Sequence, residues 1–227
     1  SCVINLDTAK ERLVKFHKNQ KQTQLKSKRI KPVDVTDSRI EKAIQALSPE
    51  HPRKKAKFLS NQLTFSDILA SEKAEKVIIF EDDVIFKNNF DEVLEGVLSE
   101  LPEDFAICFL GCYLRRNVKL EKYSEHLIEI KENIKKIVGA HAILFNKSVY
   151  KKISDALKSP ESKPTDSEIA ELLTGKERCF IANPMICFQS GAESSLGHKL
   201  NLRRFERENI QIIKNNLTEI KNEKRKS

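Results

Sequence analysis

A chain of 227 residues with a formal net charge of +8 and 39% hydrophobic residues is long enough to bury one large core. Nothing in it approaches the run of about 18 apolar residues that spans a membrane, and its first residues carry no signal-peptide pattern. The basic balance, with a pI near 9.1, points to an acidic partner: a nucleotide, an anionic membrane surface, an acidic glycan or a nucleic acid.

Residues 2–6 read as a strand, followed by a cap at Asp7 or Thr8 and a helix with Leu13 and Phe16 on one face. A basic stretch holding Lys21, Lys26, Lys28, Arg29 and Lys31 runs up to Pro32 and ends in a short apolar piece over 33–35. Strand, helix and strand in that order make the parallel crossover of nucleotide-binding sheets. Residues 48–57, with Pro49, Pro52 and a basic cluster, read as a loop, and residues 58–71 as a helix.

Next comes the most informative segment. Val77 to Phe80 and Val84 to Phe86 are apolar, and Glu81, Asp82 and Asp83 stand between them. At about 4 Å each adjacent carboxylate pair repels by roughly 1 kcal/mol in water and about 4 kcal/mol at an effective dielectric near 20. In an extended segment Glu81 and Asp83 would face one way and Asp82 the other. Two hard oxygen ligands at a strand end suit an octahedral cation, Mg²⁺ or Mn²⁺, that keeps waters and shares a substrate's phosphates. The alternative is an acidic turn in which Asp82 or Asp83 caps the next segment.

Phe90, Val93, Leu94, Val97, Leu98 and Leu101 then recur at helical spacing until Pro102. Burying all six would contribute on the order of 10 kcal/mol gross. Strands follow over 105–111, 127–130 and 140–145, helices over 147–157 and 166–173, and a strand over 179–182. The alternation predicts an α/β fold with a mixed, mainly parallel sheet flanked by helices.

Cys2, Cys108, Cys112, Cys179 and Cys187 form an odd set without zinc spacing. Cys108 and Cys112, at same-face spacing on one strand, read as small core hydrophobes, and a reducing cytosol suits them. From residue 207 the chain is polar and basic, with Ile210, Ile213, Leu217 and Ile220 at weakly amphipathic spacing. That pattern suits a solvated terminal helix or a peripheral contact with anionic lipid at the inner membrane face. The expected division is one domain over 1–206 and a basic tail over 207–227.

Taken in order, several segments resemble glycosyltransferase family 25, which contains lipooligosaccharide and collagen galactosyltransferases. Val3 to Asp7 with Lys10 to Leu13 is similar to the family's first strand and helix, and Ile30 to Asp34 to its second strand. Phe80 to Val84 resembles the acidic metal motif. Phe109 to Gly111 and Gly139 to Leu144 resemble two later strands, Pro164 to Asp166 a Pro-x-Asp before a helix, and Asn183 to Ser195 the closing segment. Where the family carries Ser-His before the acidic motif, this chain has Ser60 and Asn61. Residues 18–31 and 113–138 match poorly and are where acceptor choice is expected.

The resemblance implies a single GT-A type domain that moves a hexose, galactose or glucose, from a UDP-sugar to a hydroxyl acceptor with inversion. The acceptor would be a glycan or glycolipid such as lipopolysaccharide or capsule. It further implies Mn²⁺ or Mg²⁺ held by Glu81, Asp82 and Asp83, with His198 as a further ligand. Asp166 is the expected general base, with Glu168 in reserve, although an Asp before an apolar helical run also reads as an N-cap. Asn5, Leu6, Asp7, Arg12, Val33, Asp34, Gly139 and Ala140 would bind the donor.

Three other readings share these residues. One is a glycosyltransferase acting on modified DNA, for which Arg29, Arg53 to Lys55 and Arg115 to Arg116 would supply phosphate contacts without a recognisable nucleic-acid motif. Another is a non-catalytic sugar-nucleotide or protein binding module of the same fold. A metal-dependent phosphotransferase or nuclease lacks its phosphate-cradling loop or His-Asp cluster here.

Overall fold

The computed structural model describes residues 1–46, 52–114, 118–134, 137–158 and 164–190. In chain order these form β1 (Cys2–Ile4), α1 (Lys10–Gln20), β2 (Lys28–Ile30), α2 (Ser38–Ala46), α3 (Pro52–Ser71), β3 (Lys76–Glu81), β4 (Val84–Phe86), α4 (Phe90–Glu100) and β5 (Phe105–Leu114). They continue with β6 (Leu120–Lys122), β7 (Leu127–Ile130), β8 (Ile137–Asn146), α5 (Tyr150–Lys158), α6 (Thr165–Leu173), β9 (Arg178–Ala182) and β10 (Cys187–Gln189).

The main sheet has the order β2-β1-β3-β8-β5-β9-β7-β6. β8 and β7 run against the other strands, which all point one way. The first crossover is as expected, with β1 parallel to β2 and to β3. The second strand lies earlier than the apolar piece at 33–35: β2 ends at Ile30, ahead of Pro32, which has no N–H to give a ladder. Val33 packs instead on Ile40, Ala43, Leu59 and Leu63 of α2 and α3.

The loop expected up to Lys57 is already helix from Pro52, because proline at the first helical position loses no hydrogen bond. Helix α2 was not foreseen. Its buried Ile40 and Ala43 do carry a three-residue spacing, over a segment too short for the pattern to stand out.

Helices α3, α5 and α6 cover one face of the sheet, where Phe65, Leu69, Ile153 and Ile169 pack on Ile79, Ile143 and Phe145. Helices α1 and α4 cover the other, with Phe16, Phe90, Val93 and Val97 on Phe80 and Leu144. Two of the six apolar positions expected inside on α4 differ: Leu98 is 41% exposed, and Leu101 packs only at the cluster's edge.

The acidic segment does not continue as one strand. After β3 the chain turns at Asp82 and Asp83, and β4 leaves the main sheet to pair antiparallel with β10. Phe16, Phe80, Phe86 and Phe90 stack in series, at 5.9 Å from Phe16 to Phe80, 5.3 Å from Phe80 to Phe86 and 5.0 Å from Phe86 to Phe90. These tilted and edge-on contacts anchor both arms of the turn.

All five cysteines are buried and free. Cys108 and Cys112, however, lie on opposite faces of the sheet, the first with Phe80 and Leu144, the second with Ile143 and Phe145. Between Phe109 and Gly111 the register takes an extra residue into β5, and between Gly111 and Tyr113 the extra residues lie in β8; the alternation reverses across this irregularity. Gly111 itself allows β10 to cross: a Cβ there would stand 2.0 Å from the Cys187 carbonyl oxygen. Among the described residues no helix is long and apolar enough to cross a membrane. The basic tail at 207–227 lies outside them.

Candidate active site

Because β1, β2 and β3 are parallel, their C-terminal ends open on one edge, and β8, antiparallel to β3, begins there. A crevice outside the carboxyl ends of strands is where α/β sheets bind ligands. Four expected groups meet at this edge: Asn5 to Asp7 after β1, Glu81 to Asp83 after β3, Gly139 and Ala140 early in β8, and Asp166 in the first turn of α6.

The register sets Glu81 opposite Ile4 and Phe80 opposite Ala142. Asp82 turns toward α1. Its Oδ2 accepts a hydrogen bond of 2.6 Å from Asn5 Nδ2, and its Oδ1 is in contact with Arg12 Nη2. The same Arg12 nitrogen lies 3.6 Å from Asp83 Oδ2. The turn thus places Asp82 and Asp83 on one arginine, where a straight strand would have separated them. Asp83 Oδ1 and Arg12 Nε are buried and make no hydrogen bond among the described residues.

Burial raises the pKa of Glu81, and the charges of Asp83, Asp166 and Asp82 raise it further. Asp82 and Asp83 are also pushed up by burial, against the pull of Arg12. Glu81 thus feels three other carboxylates, and Arg12 is the cation paired with Asp82 and Asp83, so the turn is short of positive charge.

Arg29, read in the sequence as part of a basic stretch and as a phosphate contact in the DNA alternative, orients the site. Its Nε donates to Asn5 Oδ1 at 3.1 Å, which fixes the amide so that Nδ2 points at Asp82, while its Nη2 donates to the Asn5 carbonyl at 3.1 Å. Asp7 accepts from Arg29 at 2.5 Å and from Lys31 at 2.8 Å, and these partners pull its pKa down to about 2. An ionic chain therefore links the ends of β2, β1 and β3. Leu6, between them, is 46% exposed.

Ser60 and Thr64 were also missed as supports. Val33 donates its N–H to Thr64 Oγ1 at 2.9 Å, and its carbonyl accepts from Ser60 Oγ at 2.5 Å, so α3 clamps the loop after β2. Their four-residue spacing on one helix face was the available signal. Asp34 closes an Asx turn on the Thr36 N–H at 3.0 Å.

Asp166 is not the N-cap, a position held by Pro164. It is the second residue of the helix, two past the cap, where the helix dipole favours an anion. Its Oδ2 accepts the Gly139 N–H at 2.7 Å and its Oδ1 the Ser167 N–H at 2.7 Å. Burial nonetheless raises its pKa, with these two donors opposing. Glu168, the reserve for that role, is half-buried two residues on, about 200° further around the helix axis.

Gly139 has φ +88°, and a Cβ there would meet His141 Nδ1 at 2.6 Å. His141 is fully buried, its Nε2 lies 3.3 Å from the Cys187 carbonyl oxygen, and burial lowers its pKa to about 4. Burial thus favours the neutral ring, which packs between β8 and β10.

The donor set suits a hard divalent cation of a particular kind. Glu81 and Asp83 offer carboxylate oxygens, one of them buried and unengaged, whereas both oxygens of Asp82 are occupied. Among the described residues, the three ligand groups that converge within 4.8 Å are Glu100, Glu125 and His126, not the acidic turn. The turn therefore fits an ion that takes one or two protein ligands and completes its shell with water and phosphate, as Mg²⁺ does. His198 lies outside the described residues.

Comparison with known proteins places this edge in context. The chain is similar to HddC from Yersinia pseudotuberculosis, with a TM-score of 0.40 and 14% identity over 78% of this chain and 77% of that one. It is also similar to mouse xyloside xylosyltransferase 1 in its apo form, with a TM-score of 0.34 and 13% identity over 74% of this chain and 62% of that one. No curated protein matches the chain. The model of glycosyltransferase family 25, described as an LPS biosynthesis protein, matches residues 1–169, a span that takes in the acidic turn, Gly139 and Asp166. With 169 of its 227 residues matched, the protein belongs to glycosyltransferase family 25, a family of lipopolysaccharide-biosynthesis sugar transferases.

Proposed function

We propose that the protein is an inverting, metal-dependent transferase that moves a hexose, galactose or glucose, from a UDP-sugar to a hydroxyl of a cell-surface glycan. The observation that carries this reading is the acidic turn: a buried Asp83 oxygen with no hydrogen bond, beside Glu81, at the carboxyl edge of the sheet and within electrostatic reach of Asp166. Glu81 and Asp83 would hold Mn²⁺ or Mg²⁺ there. When bound, the ion supplies charge neutralisation at the departing diphosphate.

The chain's own groups do the rest. Asn5 and Arg29 fix Asp82 and so the shape of the turn, while Asp7, Leu6, Val33 and Asp34 line the approach for the nucleoside. Asp166, pinned by two backbone N–H groups, accepts the proton of the acceptor hydroxyl as its oxygen bonds to the anomeric carbon. The bond from that carbon to the diphosphate oxygen breaks, and the nucleoside diphosphate leaves with the bonding pair. Attack on the face opposite the leaving group inverts the centre.

The test is release of UDP from a panel of UDP-sugars with Mn²⁺, Mg²⁺ or EDTA, comparing the protein with Asp83→Asn. Metal-dependent hydrolysis of one donor, lost in the variant, supports the reading and names the sugar. Absence of donor binding and cleavage under every metal overturns it and favours the binding-module alternative.

A further inference from the structure

We propose that Arg12 is a resident counter-cation of the acidic turn, and that the donor's diphosphate draws it off, so that nucleoside diphosphate and divalent ion bind cooperatively. The inference rests on the metal-dependent reading above.

Arg12 is poorly used where it stands. A guanidinium has five N–H donors in a fork that matches two oxygens side by side. Here the ion-pair contact to each of Asp82 and Asp83 is made by the same nitrogen, Nη2, at 3.6 Å in the case of Asp83, while Nε is buried and makes no hydrogen bond. On the other side Asp83 Oδ1 is buried and equally unengaged. A buried donor and a buried acceptor left open in one ion cluster each carry a desolvation cost that a ligand can remove. A phosphate offers adjacent oxygens to the fork, and a dication offers its charge to Asp83.

The geometry permits the exchange. Arg12 stands in the first turn of α1 and is 27% exposed, whereas Asp82 and Asp83 are 8% and 12% exposed, so the arginine is the member of the cluster most open to solvent. Asp82 keeps its 2.6 Å bond from Asn5 when Arg12 swings, and Asn5 is held by Arg29 at 3.1 Å. The turn therefore keeps its shape while its counter-ion changes. A metal ion alone has to compete with Arg12 for the same carboxylates. With a diphosphate present, Arg12 gains a partner on leaving, and by linkage each ligand strengthens the other equally.

The experiment is a Mn²⁺ titration followed by the electron paramagnetic resonance signal of free Mn²⁺, with and without UDP, on the full chain. Wild type is expected to bind Mn²⁺ weakly alone and at least tenfold more tightly with UDP. Arg12→Met should bind Mn²⁺ alone about tenfold more tightly than wild type and lose about tenfold of the UDP coupling. Arg12→Lys keeps the charge without the fork, so its affinity for Mn²⁺ alone should match wild type while the coupling falls; it carries the test if Arg12→Met does not fold. Unchanged Mn²⁺ affinity and unchanged coupling in a folded variant overturn the role of Arg12 alone. Failure of wild type to bind Mn²⁺ even with UDP overturns the metal reading and this inference with it.

Discussion

At the end of α4, Glu100 uses both of its oxygens, whereas at the end of β3 Asp83 keeps a buried oxygen that accepts nothing. Glu100 Oε1 lies 2.7 Å from His126 Nδ1, and its Oε2 accepts the His126 N–H at 2.9 Å and the Ser124 hydroxyl. These donors pull its pKa down to about 2, while Glu81, Asp82, Asp83 and Asp166 are all pushed up. Both regions are acidic and both contain ion pairs. One is a closed structural clasp that pins residues 124–126 to the end of a helix. The other stores unfavourable electrostatics that the proposed cation would relieve, the pattern expected of a reactive site.

The largest expected effect breaks the contrast outright. Asp83→Asn should abolish metal-dependent donor hydrolysis by more than about 100-fold, yet leave the metal-free melting temperature equal or higher, because a repelling charge is removed. Glu100→Gln should do the reverse, with turnover unchanged and stability lowered. If both variants keep full turnover, the acidic turn is not the reactive cluster.

Next in size, Asp166→Asn should lower kcat by about 10² to 10⁴-fold, the usual contribution of a general base, with an unchanged far-ultraviolet circular dichroism spectrum. A fully active Asn variant would exclude Asp166 as the base. Smaller again, Gly139→Ala forces a side chain into φ +88° and against His141. A loss of about 1–3 kcal/mol in urea unfolding is expected.

The smallest effect sharpens the comparison through pH. Glu100 has a depressed folded pKa, so its contribution is present above the ordinary carboxylate value and fades as pH falls toward about 2. His126 has a raised folded pKa, held up by Glu100, so its contribution is present below its ordinary value of about 6.5 and is lost as pH rises through the folded value. The stability difference between wild type and Glu100→Gln should therefore peak between about pH 4.5 and 6.5, at no more than about 1 kcal/mol for so exposed a pair. A difference that grows steadily up to pH 9 would rule out the clasp.

The parts legible in the sequence were those fixed by local pattern. Phe90, Val93, Leu94 and Val97 announce α4 by period, and the apolar flanks of Glu81 to Asp83 announce a strand that ends in charge. What escaped were departures from regular alternation. A β-bulge at Gly111 sends Cys112 to the opposite face from Cys108, and the turn at Asp82 sends β4 into a second sheet; neither leaves a residue-level trace beyond one glycine and two aspartates. The supports of the site escaped for another reason. Arg29 and Ser60 act across elements far apart in sequence, and only the folded register brings Arg29 to Asn5 or Ser60 to Val33.

The hydrogen bond from the Gly139 N–H to Asp166 belongs to the backbone. No substitution deletes it except at Gly139, at Asp166 or by proline, so the proposed base keeps its orientation whatever side chains the neighbouring segment carries. That segment, residues 113–138, is one of the two where acceptor choice is expected. Side chains of the segment expected to choose the acceptor can therefore change while the orientation of the proposed base is held from the main chain.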